Sequence, residues 1–335
     1  MSIWLQFAIC AGVILYAGSQ LSRQADVIAE KTGLGRNWIG LILLATITSL
    51  PELITGVSAV SLNDLPDMAV SGILGSCMFN MMVIAILDLF SKRCPVSFRV
   101  HQGHMLSAGF GIVLIGFAAI DILFGKHLPI LTSLNSIDPI SLLYIGIYLL
   151  AMKLIYAYEQ HRVQEFVEDA AEASPFAKRS LRGSIFLFVL NAILIVIAAC
   201  YLPELGTKIG AMTGWGESFI GSSFIAITTS LPEITVSVAA ARMGAFDMAV
   251  ANLLGSNLFN VVILAVIDFC YLKAPLLRSV SQINTLTALT AIIAMAIVVV
   301  GLTYRSEKKV LFLAGDAVAI LFVCIMANVL LFIAH

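Results

Sequence analysis

Two short polar stretches lie in the middle of long apolar runs and carry residue types suited to binding an ion. Residues 48–52 read TSLPE, and residues 229–233 repeat TSLPE at an offset of 233 − 52 = 181 positions. A carboxylate at the centre of a membrane-spanning helix costs about 2.5–3.5 kcal/mol on insertion scales. A bound cation would offset that cost directly, so Glu52 and Glu233 are candidate cation ligands.

The spacing inside each TSLPE stretch brings several oxygens to one helix face. Thr and Glu are four residues apart, and Ser and Glu are three apart. Pro51 has no backbone N–H, so we expect the carbonyl of Ile47 to lose its helical partner, and Pro232 to do the same to Thr228. Freed carbonyls in a membrane are tolerated where they face a cavity or an ion. The sequence therefore predicts a kinked helix with its oxygens turned toward a site.

A second element follows each motif and adds oxygens only. The pattern GSxxFN occupies residues 75–80 and 255–260, and it places Ser76 with Asn80, and Ser256 with Asn260, four residues apart. Ca²⁺ takes about six to eight oxygen ligands. Zinc and copper prefer imidazole or thiolate, and no His or Cys pair has ligand spacing here. These oxygen ligands therefore favour a hard cation such as Ca²⁺.

The remaining polar residues that stand out in the sequence are expected to have structural roles rather than to bind an ion. Cys77 adjoins Ser76 about 100° round the helix, so we expect packing rather than ligation. His101 and His104 fall in an Arg-rich connection and are assigned no ligand role. Five acidic residues are interpreted as interfacial charges (Asp88 and Asp268) or as helix N-caps (Asp64, Asp67 and Asp247).

The composition indicates an integral membrane protein. The chain is 60% hydrophobic and 12% charged, and apolar runs of about 20 residues recur along it. No polar stretch is long enough for a soluble domain, and nothing indicates a nucleic-acid partner. The six cysteines form no disulfide pattern. The first apolar run is interpreted as a membrane span of the mature protein rather than a cleaved signal peptide. Ten spans are predicted, near residues 3–20, 38–61, 68–90, 105–124, 139–157, 185–202, 218–240, 248–272, 286–303 and 310–333.

The repeated motifs predict two inverted halves. Their offset covers five spans, an odd number, so the halves cross the membrane in opposite senses with a site expected at the midplane. Residues 1–157 form the first five-helix repeat, with its motif region at 40–80. Residues 183–335 form the second, with its motif region at 221–260, and residues 158–182 connect the two. The predicted fold is an all-α polytopic membrane protein.

The distribution of positive charge predicts an orientation. If connections alternate between the two sides, one side receives fifteen Lys and Arg residues and the other receives four. The richer side is expected to be cytoplasmic, which leaves both termini outside.

The paired motifs resemble those of the cation/calcium exchanger superfamily, most closely its prokaryotic sodium/calcium exchangers. Its GTSLPE-like and GSNxFN-like motifs stand here as ITSLPE and GSCMFN in the first half, and as TTSLPE and GSNLFN in the second. The resemblance implies an ion-binding core from spans 2, 3, 7 and 8, and gating by spans 1 and 6. The chain departs from the pattern at several positions: Ile47 and Thr228 for Gly, Cys77 for Asn, Gly72 opposite Asn252, and Asn at both Asn80 and Asn260 where some relatives carry one Asp.

The resemblance also implies a ligand set. Glu52 and Glu233 would be shared ligands for Ca²⁺ and Na⁺. The remaining ligands would be four motif side chains, two backbone carbonyls and four residues of the partner helices: Thr48, Ser49, Thr229, Ser230, the carbonyls of Ala45 and Ala226, Ser76, Asn80, Ser256 and Asn260.

These observations predict a secondary antiporter that exchanges Ca²⁺ for Na⁺ by alternating access in a prokaryotic cell (inner) membrane. Its expected partners are these ions and the lipid bilayer, and it is expected to have no cofactor and no enzymatic activity. Two carboxylates neutralise one Ca²⁺ or two Na⁺, and a third Na⁺ would leave the site positive. A Ca²⁺/H⁺ antiporter of the same fold and a Ca²⁺ channel are the alternatives, and the sequence does not give the oligomeric state.

Overall fold

The computed structural model describes residues 2–33, 36–92, 94–125, 138–167, 180–213, 225–309 and 312–334. Within these ranges the regular elements are helices. The first half contains α1 (Ile3–Thr32), α2 (Arg36–Trp38), a π-helix (Ile39–Leu44), α3 (Ala45–Thr48), α4 (Leu50–Leu62), α5 (Pro66–Leu87), a 3₁₀ turn (Asp88–Phe90), α6 (Val96–Arg99), α7 (His104–Phe124) and α8 (Pro139–Val167). The second contains α9 (Leu181–Thr213), α10 (Ile225–Thr229), α11 (Leu231–Arg242), α12 (Phe246–Cys270), α13 (Leu276–Ser279), α14 (Asn284–Tyr304) and α15 (Gly315–Ala334).

The helices confirm a polytopic membrane protein. Nine spans in the described part of the chain are long and apolar enough to cross a membrane, and they coincide with nine of the ten predicted spans. The remaining prediction, 218–240, begins in residues outside the described ranges, and α10 and α11 cover its later part. Of the predicted connection 158–182, residues 158–167 continue α8 as helix, and residues 168–179 lie outside the description. The orientation of the termini stays a prediction.

The two helices that carry GSxxFN lie at the centre of the bundle. Over their most apolar stretches, α12 is 83% buried and α5 is 72% buried, whereas α1, α8 and α15 are only 17%, 28% and 22% buried. The largely exposed apolar faces of these outer helices are suited to lipid. The helix of α3 and α4 and that of α11 pack against α12, so these helices lie together, and their binding of ions stays a prediction.

A close approach between halves fixes the position of the π-helix. A Cβ at Gly40 would lie 2.5 Å from the carbonyl oxygen of Met248, and one at Gly255 would overlap the carbonyl oxygen of Leu41. Only glycine at these two positions lets the backbone of α12 touch the backbone of the π-helix. A π-helix also shifts side-chain directions just before the TSLPE stretch, a feature that the sequence does not predict.

Asp88 and Asp268 are not interfacial charges, because each is only 2% exposed. Asp88 accepts hydrogen bonds from the backbone N–H groups of Val96 (2.8 Å) and Ala314 (2.7 Å). Asp268 accepts them from Leu276 (2.7 Å) and Asp138 (3.0 Å). The two carboxylates occupy equivalent positions in the repeats. Each links the end of α5 or α12 to the connection that follows it and to a residue further along or back in the chain, Ala314 or Asp138.

The predicted N-capping is also wrong, since the N-cap residues of α5 and α12 are Leu65 and Ala245. Asp67 instead accepts hydrogen bonds from the backbone of Ser281 (2.7 Å) and the side chain of Asn284 (3.0 Å) in the other half. Asp247 makes the equivalent contacts with the backbone of His101 (2.7 Å) and with His104 Nε2 (3.0 Å). Asp64 has a positive φ of 56° and pairs with Lys273 at 2.6 Å.

Replacing Gly255 with Ala should destabilise the protein by about 1–3 kcal/mol, because the added methyl group meets the Leu41 backbone. The thermal unfolding midpoint of the purified protein in detergent measures the effect. Gly109→Ala in α7 is the matched control, since a Cβ there meets no atom within 4 Å. Equal midpoints for the two variants would contradict the close packing.

Candidate functional site

Each TSLPE stretch interrupts its helix at the serine. α3 ends at Thr48 and α4 begins at Leu50, with Ser49 at φ −90°, ψ 5°; Ser230 between α10 and α11 has φ −80°, ψ 4°. Each proline lies in the first turn of the new helix, where its missing N–H is not needed. Instead of the predicted kink at the proline, each helix is interrupted two residues before it. This interruption brings a helix C-terminus and a helix N-terminus to the same depth, an arrangement that can bind ions.

The two glutamates are buried and cross-linked by hydroxyl groups from opposite halves. Glu52 is 3% exposed and Glu233 is 1% exposed. Ser49 donates to Glu233 Oε1 at 3.0 Å, and Ser230 lies 3.5 Å from Glu52 Oε1. Thr48 and Thr229 also lie beside the glutamate of the opposite half. The carboxyl groups therefore face the interior of the protein and the other motif, not lipid.

Ser76 joins this arrangement from α5. Its hydroxyl donates to Glu52 Oε1 at 3.3 Å, and the Ser230 hydroxyl lies 3.1 Å from its oxygen. Ser256, the counterpart in α12, is fully buried, and its hydroxyl oxygen has no hydrogen-bond partner among the described residues. The two repeats therefore use equivalent serines differently.

A layer of amide groups joins α5 to α12. Asn80 donates to Asn257 Oδ1 at 2.8 Å, and Asn257 donates to the carbonyl of Cys77 at 3.1 Å. In the equivalent place of the other half, Asn260 donates to Cys77 Sγ at 3.5 Å. Cys77 thus occupies the position of Asn257, at an offset of 257 − 77 = 180. Sequence reasoning noted the missing Asn at position 77 but did not select Asn257, although the aligned repeats carry that signal.

Several oxygens of the four helices remain available to a cation. Among the predicted ligands, five buried side-chain oxygens from both halves have no hydrogen-bond partner within the described residues: Glu52 Oε2, Glu233 Oε2, Asn80 Oδ1, Asn260 Oδ1 and Ser256 Oγ. Buried polar atoms without partners are costly and uncommon in native proteins. No cluster of three or more His, Cys, Asp or Glu residues with metal-site geometry occurs in the described ranges. The donors are two carboxylates with neutral oxygens, which suits Ca²⁺ and Na⁺.

The carbonyls expected to be ligands lie at the helix ends. The Ala45 carbonyl accepts hydrogen bonds from the Ser49 N–H (3.1 Å) and the Thr48 hydroxyl (3.4 Å), so both of its lone pairs are used and an ion would have to take the place of the longer bond. Ala226 lies in α10. Coordination by either carbonyl remains a prediction.

A small cavity lies beside Glu52. It has a volume of about 30 Å³, lies between α4 and α5, and is lined by Glu52, Gly56 and Gly72 among others. In the second half Ser237 and Asn252 replace these two glycines, at offsets of 237 − 56 = 181 and 252 − 72 = 180. Both are fully buried, and Asn252 donates to the Ser237 hydroxyl at 2.9 Å. The equivalent space beside Glu233 is thus filled by a hydrogen-bonded pair.

Comparisons with known proteins agree with this geometry. A model of the sodium/calcium exchanger protein family matches residues 2–157 and 183–332. The inner membrane protein YrbG of Escherichia coli is 28% identical over 255 residues, which cover 75% of this chain and 74% of that protein. The sodium/calcium exchanger MaX1 of Methanosarcina acetivorans is 26% identical over 283 residues, covering 75% and 78%. The Ca²⁺/H⁺ antiporter ChaA of Bacillus subtilis is 25% identical over 311 residues, covering 90% and 86%.

A solved structure has the same fold. The sodium–calcium exchanger NCX_Mj, soaked with 100 mM Na⁺ and 10 mM Sr²⁺, superimposes with a TM-score of 0.72 at 19% identity, covering 98% of this chain and 99% of that one. The family model covers both halves and the TSLPE and GSxxFN elements within them. The chain is therefore a multi-pass integral membrane protein that belongs to the sodium/calcium exchanger family.

Proposed function

We propose that this chain exports Ca²⁺ in exchange for Na⁺, with both ions competing for the oxygens around Glu52 and Glu233. Membership of the family makes the protein a cation/Ca²⁺ antiporter rather than an enzyme. The observation that supports the site most strongly is the set of buried, unpartnered oxygens beside two carboxylates that bond to opposite halves. A bacterial inner membrane, as the name of the Escherichia coli relative states for that protein, is the proposed location.

Charge neutralisation would couple the two ions. Two carboxylates buried in a membrane interior need either two monovalent cations or one divalent cation, because unpaired charge is costly there. Closure of the site would then be possible only in the loaded states, which is the requirement for exchange without leak. Movement of α1 and α9, which pack along each other and against the core, is the proposed gating motion.

Proton coupling is the second candidate, supported by the similarity to the Ca²⁺/H⁺ antiporter ChaA. In that case two protons, rather than two Na⁺, would neutralise Glu52 and Glu233 after Ca²⁺ leaves. The same carboxylates would serve, so the two candidates differ in the driving ion and not in the position of the site.

Glu52→Gln and Glu233→Gln should each abolish Ca²⁺ movement, by at least about a hundredfold. Gln retains the size and one oxygen but removes a charge contact that we take to be worth about 3 kcal/mol or more. The measurement is Ca²⁺ flux in proteoliposomes with equal amounts of folded protein. Glu204→Gln, at an exposed position on α9, is the matched control and should transport normally. Substantial exchange by either site variant would overturn the assignment.

The driving ion can be identified with proteoliposomes that are loaded with Ca²⁺. External Na⁺ at fixed pH should trigger efflux, and a pH step without Na⁺ should not. Efflux that needs only the pH step would instead support Ca²⁺/H⁺ exchange. Efflux with neither gradient would indicate a channel, and the Glu52→Gln protein supplies the leak baseline.

Gly72→Asn should slow transport several-fold by filling the cavity beside Glu52, as Asn252 fills the equivalent space in the second half. Gly72→Ala is the control, because a Cβ at this position meets no atom within 4 Å. Initial rates of Ca²⁺ flux measure the effect, and unfolding midpoints check that both variants fold. Normal transport rates in the Gly72→Asn variant would show that ions do not reach Glu52 through this cavity.

A further inference from the structure

A second cavity lies at the ends of the helices, apart from the carboxylate site. It has a volume of about 680 Å³ and lies where the connection from α5 to α7 meets the turn between α11 and α12. Three cations and three aromatic rings contribute to its lining: Lys92, Arg99, Arg242, Phe90, Phe98 and Phe246. We call this region the basic hollow.

The two guanidinium groups of the basic hollow are held by aromatic rings. Arg99 lies over the ring of Phe246 with its Cζ 4.4 Å from the ring centroid, and Arg242 lies over Phe90 at 5.3 Å. Stacking of this kind orients a guanidinium through its flat face and leaves its N–H edge free to donate. Two oriented edges in one cavity are suited to the oxygens of a phosphate group.

The positive charge of the hollow is not balanced by nearby acids. None of the ion pairs found in the described part of the chain includes Lys92, Arg99 or Arg242. The acids closest in sequence already have partners: Asp88 pairs with Lys309 at 3.1 Å, and Asp247 bonds to His101 and His104. The hollow therefore carries an excess of positive charge.

The inverted repeat supplies an internal comparison. At the opposite end of the bundle the positions of Lys92 and Arg99 are taken by Leu272 and Ser279, at an offset of 180. The counterpart of Arg242, the last residue of α11, is Leu62, the last residue of α4. Two cations of the described residues in this segment have acidic partners: Lys273 pairs with Asp64, and Arg278 pairs with Asp121 and Asp138. The same architecture is thus built without excess charge at that end, so the fold does not require the three cations.

We propose that the basic hollow binds the phosphate group of an anionic phospholipid. The hollow lies at the ends of spans, where headgroups lie, and the partly exposed Phe90 and Phe98 offer apolar surface to the part of the lipid below the phosphate. A general preference for positive charge on the cytoplasmic side accounts for cations in this region. That preference does not explain why three cations line one cavity, nor why two of them lie over aromatic rings. A lipid here would contact both repeats.

The test titrates the purified full-length protein in neutral detergent with short-chain phosphatidylglycerol and follows the unfolding midpoint. The wild-type protein should be stabilised in a saturable way, and Arg99→Gln/Arg242→Gln should need at least about tenfold more lipid. Lys153→Gln/Arg182→Gln removes two charges outside the hollow, on the same predicted side, and should respond like wild type. Short-chain phosphatidylcholine tests the need for net negative charge, and inorganic phosphate tests the need for lipid.

An equal response of wild type and the Arg99→Gln/Arg242→Gln protein would overturn the proposal. Stabilisation by inorganic phosphate at the concentrations where the lipid acts would assign the hollow to a soluble anion and overturn the lipid assignment. If the double variant fails to fold, Arg99→Lys keeps the charge but loses the two-edged guanidinium, and it should weaken the lipid response by about threefold or more. A wild-type response from Arg99→Lys would then count against the proposal.

Discussion

The constraint on which this structure depends is the burial of two carboxylates inside a membrane protein. Each glutamate finds hydroxyl partners in the opposite half, because Ser49 donates to Glu233 and Ser230 lies beside Glu52. Glu52 also accepts a hydrogen bond from Ser76 of its own half, but the TSLPE serine that contacts each glutamate belongs to the opposite half. The packing of one TSLPE stretch against the other therefore contributes to folding, and it would also be needed for the proposed ion binding.

The backbone around the site follows from the same requirement. Helix breaks at Ser49 and Ser230 turn the hydroxyls and helix ends inward. Close contact of α12 with the π-helix, possible because Gly40 and Gly255 lack side chains, holds one break in position. Buried aspartates at the helix ends, Asp88 and Asp268, then anchor the connections by accepting backbone N–H groups. The polar groups of the interior thus form a connected frame around the site.

Much of this arrangement could be predicted from the sequence, because a repeated charged motif in an apolar span has few physical explanations. The nine described spans and the burial of Glu52 and Glu233 follow from hydropathy and motif spacing. The π-helix and the cross-repeat contacts of Asp67 with Asn284 do not, since they arise from tertiary packing that leaves no local signal. Asp88 was misinterpreted because nearness to a span end does not reveal burial.

The replacement of one amide by a thiol makes the two halves of the site unequal. Asn80 meets an amide oxygen of Asn257, while Asn260 meets the sulfur of Cys77, which is a weaker and softer acceptor. Some backbone contacts recur in both halves, such as those of Asp88 and Asp268, whereas this part of the polar interior differs between them. In the proposed exchange, an ion that arrives from one face of the membrane would meet a different chemical environment from one that arrives from the other, so inward and outward passage would differ in free energy.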